Sequence, residues 1–112
     1  MRPYSALIAQ PYLTELERLA REWLATDDGV GVLEVRHFFS GAAAYQDESI
    51  VASLTPVGLA FKVPTDIRDR LIDSGRAVPL RYFPESPIKK NYVLFPEAII
   101  DPKEAVRLIA GD

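Results

Sequence analysis

His37 is the only imidazole in a chain of 112 residues that has no cysteine, so acid–base or nucleophilic chemistry would have to run through it, a carboxylate or a tyrosine. A working imidazole needs a partner that orients it and tunes its charge. The run Leu33-Glu34-Val35-Arg36-His37-Phe38-Phe39 alternates as a strand does, with Leu33, Val35, His37 and Phe39 on one face and Glu34, Arg36 and Phe38 on the other. Glu34 stands at an odd separation from His37 and points away from it. The expectation is therefore a half-buried structural imidazole, and no catalytic residue is assigned. The rival reading is a pocket between sheet and helices in which His37 meets Tyr45 or Tyr92, as in a small-molecule binder or an enzyme.

Metal chemistry has little to work with. Without cysteine and with one histidine, a site would need oxygen ligands, and the adjacent acids Asp27-Asp28 and Asp47-Glu48 fall at turns, where acids are expected for backbone reasons. Gly29-Val30-Gly31 precedes a strand, whereas a dinucleotide fingerprint follows one and opens a helix, so it reads as a linker. No metal and no cofactor is expected.

Charge is the next filter. The net charge is −3, which argues against a surface built to coat a phosphate backbone. Residues 76–100 run the other way, with four cations (Arg76, Arg81, Lys89 and Lys90) against two acids, Glu85 and Glu97. Arg81, Tyr82, Phe83, Lys89, Lys90, Tyr92 and Phe95 interleave cations with rings, the pattern that holds single-stranded nucleic acid. The plainer reading is a hairpin whose rings pack inward while its lysines stay solvated, and direct nucleic-acid binding is not expected.

These residues must be held by a small mixed fold. Leu13, Leu16, Leu19, Ala20, Trp23 and Leu24 form one apolar stripe, predicting a helix from about Pro11 to Ala25 that ends at Asp27-Asp28-Gly29. Residues 1–10 are read as an arm or a short separate helix. Strands follow at about 32–39, 42–46, 49–54 and 59–63, joined by turns too short for anything but antiparallel neighbours. A helix at about 65–74 stops at Gly75, strands at 77–83 and 91–95 flank a Pro-rich loop, and Asp101-Pro102-Lys103-Glu104 reads as a capping box opening a last helix to about Ala110. The order α-β-β-β-β-α-β-β-α predicts one α+β domain over residues 1–112, with an antiparallel meander of five to six strands and helices packed on one face. The N-terminal apolar run is too short for a signal peptide and no stretch approaches the ~18 residues that span a bilayer. A soluble, cytoplasmic protein is expected, with no membrane partner.

Phe38-Phe39-Ser40-Gly41-Ala42-Ala43-Ala44-Tyr45 has the form of a packing motif, two rings followed by residues small enough for a backbone to approach closely. Together with Arg36 the run resembles the N-terminal domain of the TfoX (Sxy) competence regulators, whose members carry an Arg, a short gap, Met-Phe-Gly-Gly and a later Tyr. The matching positions are Arg36, Phe38, Phe39, Ser40, Gly41 and Tyr45, with Phe38 where Met is usual, Ser40 for the first glycine and Ala43 for a later one. The likeness continues through Leu59 to Val63, Asp66-Ile67-Arg68, Gly75, Tyr92 to Pro96 and Asp101 to Glu104, covering about Trp23 to Ala110. It implies an α+β fold and regulation through partners, with no established catalytic residues; Phe39, Gly41, Tyr45 and Tyr92 would be structural. The family's second, helical domain has no counterpart in these residues, so activation of competence genes is not expected to carry over intact.

The function expected is thus a non-enzymatic regulatory domain that binds a protein partner, including another copy of itself. Phe38 facing outward among charges marks the contact surface, with Arg36, Lys62, Arg81, Lys89 and Lys90 around it.

Overall fold

A computed structural model describes residues 3–26 and 31–111, with side chains from Ala9 onward. In chain order the elements are α1 (Pro3–Leu24), β1 (Glu34–Phe38), β2 (Gly41–Gln46), β3 (Ser49–Thr55), β4 (Gly58–Lys62), α2 (Thr65–Asp73), β5 (Val78–Leu80), β6 (Lys89–Phe95) and α3 (Pro102–Ala110). The order expected from sequence is the order observed. All six strands form one antiparallel sheet, arranged β1-β2-β3-β4-β6-β5, so the first four strands make a meander and β6 inserts between β4 and β5.

All three helices contribute to one core on one side of this sheet. Leu16, Leu19 and Trp23 of α1, Ile67 and Leu71 of α2, and Ala105, Val106 and Leu108 of α3 meet Ala42, Ala44, Leu54, Leu59, Phe61, Val93 and Phe95. Trp23 is fully buried, its ring centroid 5.5 Å from that of Phe61, which in turn meets Phe95 edge-on at 6.0 Å. Small residues on β2 let α1 lie close across it, and the large ones on β4 and β6 fill the space beyond. Leu24, assigned to the stripe, is instead exposed. Among the described residues no helix is long and apolar enough to cross a membrane.

Several boundaries differ for local reasons. Residues 3–10, expected as an arm or a separate helix, are continuous with α1, which runs through Pro11. The expected stop at Asp27-Asp28-Gly29 lies outside the described residues. Helix α2 ends in a Schellman motif, in which the Gly75 N–H donates to the Ile72 carbonyl and the Arg76 N–H to that of Leu71, with Gly75 left-handed at φ 79°. The capping box at Asp101 does not form. Asp101 occupies the N-cap position without a side-chain bond, and the Glu104 carboxylate that would have reached back is held by Arg76. A charge-assisted pair outcompetes a neutral N–H for the same oxygens. The strand expected at 77–83 is only three residues long, because Arg81 to Ile88 leaves the sheet as a loop.

Candidate functional site: an aromatic groove on the helix-free face

Where helices are absent, the middle of the sheet is built from small side chains. Ala43, Ser53 and Ala60 are adjacent across β2, β3 and β4, and all three are buried. Ala60 and Ser53 are covered by the end of β5 and the loop that follows it. Leu80 and Tyr82 pack with Ala60 and Leu94, and the Tyr82 hydroxyl shares a hydrogen bond of 2.9 Å with that of Ser53, 29 residues away in sequence. The loop is knit locally as well. Ser86 N–H donates to the Phe83 carbonyl at 3.0 Å, its hydroxyl accepts from the Phe83 N–H at 3.1 Å, and Arg81 donates to the Pro84 carbonyl at 3.1 Å. Pro84 occupies the second position of the resulting turn, where its fixed φ fits.

The end of β1 meets this loop. Gly41, opposite Phe38, sits so close to β3 that a Cβ would lie 2.2 Å from the Leu54 carbonyl oxygen, hence only glycine fits. Phe39 then adopts φ 53°, a left-handed conformation that L side chains rarely take. That twist breaks the strand alternation. Phe39, expected to share a face with Leu33 and Val35 as filler between layers, swings to the helix-free side and meets Phe38 at a centroid distance of 4.5 Å, tilted by 57°. Both rings contact Tyr82, at 5.6 and 5.8 Å, and Phe39 meets Phe83 edge-on at 6.0 Å. Phe39 remains 63% exposed and Phe83 54%, so this is a ring cluster with one side open to solvent.

The cluster borders a groove of about 350 Å³ lined by Phe38, Phe39, Ile50, Tyr82, Phe83, Pro87, Lys89 and Tyr92. Burial raises the Tyr82 phenol above its ordinary value, the Ser53 bond pulls the other way, and neighbouring Tyr92 and Tyr45 add to the rise. Tyr92 is raised by burial and then by Tyr45. With an ordinary phenol pKa near 10 these groups stay protonated at neutral pH, offering hydrogen bonds rather than a base.

Of the surface residues expected from sequence, Phe38 and Lys89 line the groove, and Lys62 stands directly opposite Tyr92 in the β4–β6 pair. Lys90 is exposed next to Lys89, and exposed Arg81 braces the loop through Pro84. Arg36 is committed elsewhere, bonded to Glu34 at 2.7 Å and Glu48 at 3.4 Å while lying over the Tyr45 ring. His37 corrects its expectation. It is exposed rather than half-buried, on edge strand β1 opposite Ala42 of the helix-side core, whereas Tyr45 lies on the other face beside Arg36. The imidazole and the phenols do not converge. Among the described residues no three histidine, aspartate or glutamate side chains gather as metal ligands.

Sequence reasoning missed Tyr82, Phe83 and Ser53 as parts of one site, and took the rings as the inward face of a hairpin. The available signal was Ser53, a hydroxyl within the apolar run Ile50 to Leu54 that needs a partner when buried. No family model, curated protein or solved structure matches the chain.

Proposed function

We propose that this chain is a non-enzymatic cytoplasmic domain that holds a partner protein on the helix-free face of its sheet, with the aromatic groove as the contact. The observation that carries this reading is Phe39. A left-handed backbone at a bulky residue costs about 1–2 kcal/mol, yet it is kept at a ring that stays 63% exposed. Asp47 and Glu48 take the same conformation in the β2–β3 turn, so hairpin geometry accounts for the backbone, and what sets Phe39 apart is the bulky ring left open to solvent there. Continuous exposed aromatic surface beside half-buried phenols is also the composition of interface hot spots. A regulatory setting, like that of the TfoX N-terminal domain, is supported by the sequence resemblance alone.

Phe39→Asn tests the reading, since asparagine tolerates the left-handed conformation and removes the ring. The variant should fold as the wild type does and lose the proteins that wild type captures from its native cell. Retention of the same captured set, with the same mass by light scattering, would contradict the assignment. A small-molecule binder is the second reading, favoured because the groove's volume falls within the ligand-pocket range of roughly 300–1,000 Å³. It would bind without any protein partner present.

A further inference from the structure

The rim of the groove narrows the class of partner. Lys62, Lys89 and Lys90 have no ion-pair partner among the described residues, although acids outnumber bases over the whole chain. Among the acids of this region, Glu34 and Glu48 are occupied by Arg36, leaving exposed Asp47 on the β2–β3 turn and Glu85 on the loop. The groove is therefore lined mainly by rings with Lys89 among them, and Lys62 stands outside it, opposite Tyr92 in the β4–β6 pair.

Three occupants could use such a surface, and the geometry separates them. A second copy docking face to face would bring two sets of unpaired ammonium groups together, which is unfavourable when neither finds a counter-charge. Single-stranded nucleic acid needs ring faces open for base stacking. Here Phe38, Phe39, Tyr82 and Phe83 contact one another at 57–73°, so they offer no row of parallel platforms. The groove that these rings line suits an aliphatic or aromatic side chain laid against them. Building on the proposed interaction role, we infer that the groove takes an acidic segment of a partner protein, one bulky apolar side chain resting in the groove against Phe39 and Phe83 while flanking carboxylates pair with Lys62 and Lys89.

Fluorescence anisotropy on the full chain at low salt distinguishes the outcomes. The probes are a labelled peptide with leucine or phenylalanine among glutamates, the same peptide with lysines for the glutamates, and a labelled oligothymidylate. The acidic peptide should bind saturably and weaken with salt, and the basic one about tenfold less tightly or worse. Lys62→Glu combined with Lys89→Glu, both exposed positions, should weaken the acidic peptide by about tenfold and leave the thermal midpoint unchanged. Equal binding of the two peptides would overturn the charge inference and leave the groove assignment standing, provided Phe39→Asn abolishes both. Binding of the acidic peptide that survives Phe39→Asn would overturn the groove assignment itself. Tighter binding of the oligonucleotide than of either peptide would overturn both readings, as would no peptide binding up to about 1 mM, the weak limit for a specific contact.

Discussion

On its helix-covered face the sheet presents Leu59, Phe61, Val93 and Phe95 to Trp23, Leu16 and Leu71, whereas on the other it presents Ser53 and Ala60 to the end of β5 and a loop. The first face is closed by three helices whose apolar residues lock into large side chains. The second is closed by Leu80 at the end of β5 and by the loop of residues 81–88, held by one long-range hydroxyl pair and a short turn. Its rings are shared between covering the sheet and facing solvent. Stability is concentrated on the first face, because the aromatic area exposed on the second adds nothing to folding while it faces solvent.

If that division is correct, substitutions on the two faces should separate in size. Trp23→Ala removes a fully buried ring and should lower unfolding free energy by about 3–5 kcal/mol in urea titrations, enough to unfold a marginal domain. Gly41→Ala sharpens the contrast, since it lies on the loop-covered side yet abuts the β3 backbone 2.2 Å from its would-be Cβ. It should cost about 1–3 kcal/mol as overpacking and displace the Phe38–Phe39 turn, seen as lost protection of β1 amides in hydrogen exchange.

Tyr82→Phe should cost about 1–3 kcal/mol, since it leaves the buried Ser53 hydroxyl without its partner. It carries a pH signature as well. Burial raises the phenol in the folded state, so above its ordinary pKa the unfolded chain releases a proton that the native state still holds. This contribution is fully present below about pH 10 and is lost as pH rises through the folded-state pKa. Wild type should therefore lose stability on the alkaline side, and Tyr82→Phe should flatten that limb except for the part due to Tyr92, checked by thermal melts across the range. Phe39→Asn should have the smallest effect, within about 1 kcal/mol of wild type, because relief of the left-handed strain offsets the lost ring contacts. A loss as large as that of Trp23→Ala would erase the distinction between the faces.

The legibility of the chain follows the same line. The stripe through Leu16, Leu19 and Trp23 could be read directly, because helical periodicity and burial coincide there. The short turns at Asp47-Glu48 and Pro56-Val57 announced a meander for the same reason. The groove was not readable, since its parts come from residues 38–39, 50–53 and 82–92, and nothing in any one segment names the others. His37 was misjudged because alternation assigns a face and says nothing about whether a neighbouring strand or helix covers that position.

Amino-acid order alone determined the succession of helices and strands, the antiparallel pairing of near neighbours and the absence of thiol chemistry, since each depends on side-chain periodicity, turn length or residue type. Tertiary structure decided which rings see water. A positive φ at Phe39 reverses the parity that alternation would assign, and a hydroxyl pair spanning 29 residues folds the loop onto the sheet. Both depend on backbone approach and long-range contact, which local patterning does not encode.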